Sequence, residues 1–255
     1  MWKIYFNLFS ILGLSLVLAS CKKELTNLGS GTSSLTIVNA VVGNDYLLTD
    51  FKRGQSTGNY LPPMNGIHYG TATYFNSYSG QQPLALYHLP DTTATSAPVF
   101  KLTLDLPVNT IHTLFLMGTQ GDPDQLLTTD QLPYHPDSDS TMGIRFINIS
   151  KTSHPVSVNI AGQANGSEAT GLAYKSVTPF KNYNAGSAIK SYTFEFRDQA
   201  TGELLGSCIV DGVNNDGSSS SPNIRRYKNF TIALLGAPGG NAPNSALIIS
   251  EDIAF

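Results

Sequence analysis

The sequence predicts an all-β protein arranged as two tandem β-sandwiches behind an N-terminal leader. Three observations carry this. Short β-branched and aromatic runs recur along the chain, separated by Gly, Pro, Asn and Asp. No segment keeps apolar residues at i, i+3, i+4 and i+7 over three turns. The second half of the chain repeats the first.

Residues 1–20 have a short start charged at Lys3 and an apolar stretch from Ile4 to Leu18, broken only by Asn7, Ser10, Gly13 and Ser15. That stretch is shorter than the roughly 20 residues a membrane-spanning helix requires, and it ends at small residues, as a secretory signal does. Leu18-Ala19-Ser20-Cys21 resembles the bacterial lipobox. In that reading Cys21 is lipidated on its sulfur and becomes the new N-terminus. Several acyl chains on one residue make a durable anchor, at roughly 0.8 kcal/mol per buried methylene. Cys21 is followed by Lys22 instead of the Asp that retains lipoproteins at the inner membrane, so the resemblance implies a lipid anchor in the outer membrane. Lys22-Lys23-Glu24 is similar to the charged tether that sends Bacteroidota lipoproteins to the cell surface. Residues 21–34 read as a flexible tether because Gly, Ser, Thr and Asn dominate them.

Composition limits what the body does. Charged residues make up 13% of the chain, about half the usual share, and the net charge is −3. The densest basic group is Arg225-Arg226 with Lys228, too little to neutralise a phosphate backbone, so nucleic acid is not an expected partner. A hydrophobic fraction of 41%, with 12 Tyr and 12 Phe, supplies a packed core. The chain has two cysteines. With Cys21 assigned to lipid, Cys208 lacks a disulfide partner, and its setting in Leu204-Leu205-Gly206-Ser207-Cys208-Ile209-Val210 predicts a buried, inert thiol.

The first sandwich is expected over 35–132, with strands at Leu35–Val42, Tyr46–Phe51, Thr71–Phe75, Leu84–Leu89, Val99–Leu104, His112–Gly118 and Leu126–Thr129. Two prolines and two acids in Leu132-Pro133-Tyr134-His135-Pro136-Asp137-Ser138-Asp139-Ser140 predict a linker over 133–142. The second sandwich follows over 143–255, with strands at Ile144–Ile149, Val156–Ile160, Lys175–Thr178, Tyr192–Arg197, Leu204–Val210, Asn229–Leu235 and Ala246–Ser250. In Tyr192-Thr193-Phe194-Glu195-Phe196-Arg197 aromatics alternate with polar residues, as one buried and one wet face require. Asp211–Pro222, with Gly217 and four serines, reads as a long mobile loop.

The halves match in detail. Tyr69, Thr73, Phe75 and Tyr78 recur at one common offset as Tyr174, Thr178, Phe180 and Tyr183. Leu35-Thr36-Ile37-Val38-Asn39-Ala40 resembles Ile144-Arg145-Phe146-Ile147-Asn148-Ile149. Thr113-Leu114-Phe115-Leu116-Met117-Gly118 resembles Thr231-Ile232-Ala233-Leu234-Leu235-Gly236, and Leu127-Thr128-Thr129-Asp130 resembles Ile249-Ser250-Glu251-Asp252.

The second copy, from Ile147-Asn148-Ile149-Ser150 through Pro155-Val156-Ser157-Val158-Asn159-Ile160-Ala161-Gly162, resembles the tandem domain of unknown function 4397, found in secreted and lipid-anchored proteins of Bacteroidota. The likeness spans roughly residues 35–255. The first copy departs from the family pattern in lacking its Ser-Pro step, and both copies carry tyrosine, Tyr78 and Tyr183, where the family has valine. The resemblance implies two immunoglobulin-like β-sandwich domains and brings no catalytic residues with it.

Chemistry-bearing groups are sparse. His68, His88, His112, His135 and His154 show no metal or catalytic-triad spacing. His112 aligns with Phe230 and reads as a sandwich-edge residue. His135 with Asp137 and Asp139 has cation-ligand chemistry, but a solvated linker is the simpler reading. Asn214, Asp216 and Gly217 imitate a calcium loop that lacks its first ligand and its closing Glu. Asp91-Thr92-Thr93 and Asp139-Ser140-Thr141 resemble Bacteroidota O-glycosylation sites.

Tyr69, Tyr74, Phe75 and Tyr78 have the composition of a sugar-stacking platform, although recurrence of three of them in the second copy favours a core role. Tyr74 is replaced by Pro179 in the second copy. Tyr74 and Tyr78 are therefore the candidate ligand-binding residues, and no catalytic, metal or cofactor site is expected. The chain reads as a non-enzymatic binding or scaffold module for a glycan or envelope protein, with an envelope hydrolase and a structural surface spacer as alternatives. A pocket gathering His88, Asp91 and Asp50 would favour the hydrolase.

Overall fold

The computed structural model describes residues 31–51, 66–90, 95–237 and 243–251. The leader, Cys21, most of the tether, residues 52–65, and Asp91-Thr92-Thr93 lie outside the described residues.

Among the described residues the chain is all-β, with sixteen strands. The first eight are β1 (Thr32–Asn39), β2 (Tyr46–Asp50), β3 (Gly66–His68), β4 (Thr71–Tyr78), β5 (Gly80–His88), β6 (Phe100–Leu106), β7 (Ile111–Thr119) and β8 (Asp122–Thr129). The second eight are β9 (Thr141–Asn148), β10 (Val156–Ile160), β11 (Ala169–Leu172), β12 (Lys181–Asn184), β13 (Tyr192–Asp198), β14 (Leu204–Val210), β15 (Asn229–Leu235) and β16 (Ser245–Ser250).

The strands form two tandem β-sandwiches with one topology. Sheet β4-β1-β7-β8 faces sheet β3-β2-β5-β6, and sheet β12-β9-β15-β16 faces sheet β11-β10-β13-β14. All pairings are antiparallel except β1 with β7 and β9 with β15. These four strands are buried on both faces along most of their length, because a sheet covers each side.

Alternation explains where each face goes. Leu35, Ile37, Leu114 and Leu116 point into the first core with Leu47, Leu84, Leu86 and Phe100. Ile144, Phe146, Ile232 and Leu234 point into the second core with Val156, Val158, Phe194 and Phe196. The opposite faces meet each other: Val38, Ala40, Phe115 and Met117 pack against Ile147, Ile149, Ala233, Leu235 and Ile249 in a third buried cluster. The sandwiches are thus stacked sheet on sheet along a closed seam. His135, expected in a solvated stretch, is only 4% exposed. Its ring nitrogens bond Thr141 Oγ1 and Asn229 Oδ1, each at 3.0 Å, while Asn229 Nδ2 donates to the Pro133 carbonyl.

Three expectations change in register or position. The strand expected at Lys175–Thr178 lies instead at Lys181–Asn184. Lys175 adopts φ 65° where the first copy has Gly70 at 70°, and both amides bond the preceding Asn carbonyl, Asn148 and Asn39. A turn occupies that position in both copies. Val177 still bridges Ile147 as Ala72 pairs Val38, but Lys181 then pairs Ile144 where Phe75 pairs Leu35, so one extra residue enters before β12. Tyr183 consequently matches Ser77 in register, not Tyr78. Phe75 packs on Phe51 in the first core, whereas Phe180 lies under the Arg145 guanidinium. Pairing of Thr113 with Thr128 and of Thr231 with Ile249 likewise makes Glu251, not Asp252, the counterpart of Asp130.

Candidate functional site

The four parallel strands run the same way along the seam, and the end where they start is polar. At their starts, Thr113 and Thr231 occupy equivalent positions on β7 and β15. Thr113 Oγ1 donates to Asp130 Oδ2 at 2.6 Å and to Glu251 Oε2 at 3.2 Å, while Thr231 Oγ1 donates to Glu251 Oε1. Arg145 joins the two acids, with Nη1 at 2.8 Å from Asp130 Oδ1 and Nη2 at 3.1 Å from Glu251 Oε1. Its Nε donates to Thr231 Oγ1, and the Phe180 ring lies 4.8 Å beneath it. Burial, with Asp130 nearby, raises the Glu251 carboxyl above the usual range even though Arg145 and Thr231 oppose the shift.

Loops gather at this same end of the second sandwich. Tyr227 N donates to the Thr141 carbonyl and its hydroxyl to the Asp137 carbonyl. Arg226 Nε donates to the Ala185 carbonyl, and the Ala185 amide bonds Ser140. The Asp211–Pro222 loop, read as mobile, is built by its own hydrogen bonds. Asn215 Nδ2 donates to the Pro222 carbonyl, Asn223 Nδ2 to the Asn215 carbonyl, and Ser218 N to Asp216 Oδ1. Asp216 is thereby committed to a turn, and among the described residues no three His, Cys, Asp or Glu groups cluster as metal ligands.

Tyr134 stands out from this end. It is 85% exposed, yet Pro133 before it and His135 after it are both fastened to Asn229. A bare aromatic ring on a fixed backbone offers contact area at small conformational cost on binding. Tyr227 and Ile224, also exposed, lie on the adjoining segment. The sequence placed Tyr134 in a linker because its neighbours are turn-formers; only the long-range bonds to Asn229 reveal that it is held.

The tyrosines singled out from the sequence are placed differently. Tyr74, on β4 opposite Thr36, is 44% exposed, and its hydroxyl donates across the seam to the Ser250 carbonyl of β16. Tyr78 ends β4 opposite Thr32. Tyr69 and Tyr174 are equivalent and both border the seam core. Tyr174 donates to Asp124 Oδ2 at 3.0 Å and Lys175 Nζ lies 2.6 Å from Asp124 Oδ1. Burial raises the Asp124 carboxyl, but these two donors outweigh it and hold the group below its ordinary range. His88 pairs with Leu47 and Asp50 with Ala85, three residues apart along β2, or about 10 Å. The structure does not bring them together. Cys208 is buried on β14, and desolvation pushes its thiol up to about 11.

A cleft of about 230 Å³ opens at the far end of the seam, where the four parallel strands finish. Ala40, Val42, Gly118, Thr119, Ile149 and Gly236 line its walls, with Ala237 beside them. Gly118 and Gly236 are equivalent and hold φ 84° and 89°. Lys151 and Asp122 form an ion pair at the rim.

No known protein family's sequence profile and no curated protein matches the chain. Among solved structures, one from Bacteroides thetaiotaomicron in the domain of unknown function 1812 group, provisionally assigned to polysaccharide binding, aligns over 83% of this chain and 94% of its own at 12% identity and a TM-score of 0.21.

Proposed function

We propose that the protein is a lipid-anchored outer-membrane module that binds a glycan or an envelope protein without catalysing a reaction. The anchor rests on the lipobox ending at Cys21, and the tandem-domain resemblance belongs to the same reading. The observation that carries the binding role is Tyr134, an almost fully exposed aromatic on a backbone fixed through Asn229, flanked by Tyr227 and Ile224 on a loop end built by its own hydrogen bonds. Tyrosines in such settings supply a large part of contact energy. β1 begins at this same end of the stack, so Thr32, its first residue, lies on the side of the loops.

Glycan-array and envelope pull-down screens of the mature chain carrying Cys21→Ser test the reading. A partner is expected whose retention falls by about 30-fold in Tyr134→Ala, the effect of losing roughly 2 kcal/mol. Absence of any partner in both screens, or a partner indifferent to Tyr134→Ala, contradicts it.

A further inference from the structure

The cleft at the far end of the seam lies away from the Tyr134 loops and is a second candidate site. Its walls come from equivalent positions in the two copies: Ala40 with Ile149, Gly118 with Gly236, Thr119 with Ala237, and Val42 with Lys151. Three of these pairs are small or apolar. Gly118 and Gly236, both at positive φ, line the cleft without adding side chains to it. The copies differ most where Lys151 replaces Val42, which sets one cation at the mouth of an otherwise apolar recess.

Lys151 Nζ is paired with Asp122, whose side chain is 77% exposed. Such an exposed pair contributes between 0 and about 1 kcal/mol, so another carboxylate can take its place while Asp122 turns to water. The recess falls below the roughly 300–1,000 Å³ of sites for drug-sized ligands, and it has no aromatic face for a sugar. It suits a short apolar chain with one anionic end.

We propose that this cleft binds a short aliphatic monocarboxylate, with the chain between Ala40, Ile149 and Ala237 and the carboxylate on Lys151 in place of Asp122. The site is independent of the Tyr134 loops, and the two stand or fall separately.

Titration of the Cys21→Ser mature chain with hexanoate, followed by amide NMR shifts, tests this. Saturable shifts are expected at Gly118, Thr119, Lys151, Thr152, Gly236 and Ala237. Lys151→Met is expected to weaken binding by roughly fivefold or more, and Asp122→Asn to tighten it by up to about fivefold, because the competing internal carboxylate is gone. Ala237→Leu, which fills the recess, abolishes the shifts. Hexanol, with the same chain and no charge, binds less tightly than hexanoate. N-acetyl-leucine separates a free acid from a peptide C-terminus, and tighter binding of it than of hexanoate overturns the free-acid assignment. Absence of saturable shifts in both the parent and Asp122→Asn overturns the site. So does equal affinity in parent and Lys151→Met when the variant shows the parent's fold by its remaining amide shifts.

Discussion

Arg145 of the second sandwich and Asp130 of the first form an ion pair at 2.8 Å across the seam, with the side chains 7% and 0% exposed. A buried pair is costly to break because the abandoned partner stays desolvated. Here two acids depend on the one guanidinium. Arg145→Met is predicted to lower unfolding free energy by about 3–5 kcal/mol, measured by urea titration. The triple variant Arg145→Met, Asp130→Asn, Glu251→Gln should regain a large part of the loss, since it removes the stranded charges. If the triple variant is no more stable than Arg145→Met, the loss comes from packing around Phe180 and not from charge.

Glu251 makes stability depend on pH in a defined direction. Its folded carboxyl is raised by burial above the ordinary value near 4.3, so the folded state holds the proton more tightly than the unfolded chain. Its contribution is fully present below that ordinary value and is lost as pH rises through the raised one. Glu251→Gln removes this dependence. The melting temperature of the parent minus that of Glu251→Gln should therefore fall from pH 4 towards pH 8. A difference that is flat or rises contradicts the assignment.

Gly118 is constrained by both angle and space. It holds φ 84°, and a Cβ there would lie 2.4 Å from the Asp122 carbonyl. Gly118→Ala should cost at least the roughly 1–2 kcal/mol of a left-handed alanine, with the clash added. At Gly70, with φ 70° and open space around it, the same substitution should cost only the conformational part. Urea midpoints of the two variants check the order.

Cys208 should be silent in the folded protein. It is buried and its thiol is raised to about 11, so little thiolate forms at neutral pH. In the Cys21→Ser chain, labelling by a thiol reagent should proceed at the rate of unfolding and accelerate in Arg145→Met. Fast labelling of the folded protein overturns this.

The topology was legible where alternation is strong. Tyr192–Arg197 reads directly as a strand with Phe194 and Phe196 inside, and the matched runs at Leu35 and Ile144 proved equivalent in pairing. The short strands β3 and β11 carry Gly66 and Gly171 and too few residues to show a period. The shift between Tyr78 and Tyr183 comes from one added residue in the second copy, invisible to matching by a constant offset. The seam was hidden for a different reason. Val38, Phe115, Ile147 and Leu235 look like ordinary core residues, and nothing local says that the face they cover belongs to the other copy. Tyr134 and the Lys151 cleft depend on contacts between residues far apart in sequence, so neither could be read locally.

The seam joins the two sandwiches into one folding unit, and scanning calorimetry of the Cys21→Ser mature chain tests this directly. Two sandwiches sharing a buried apolar face and the Arg145 cluster should melt in one transition, with calorimetric and van't Hoff enthalpies equal, and Arg145→Met should move that whole transition down. Two resolved transitions in the parent, or a single one that Arg145→Met leaves in place, would contradict it.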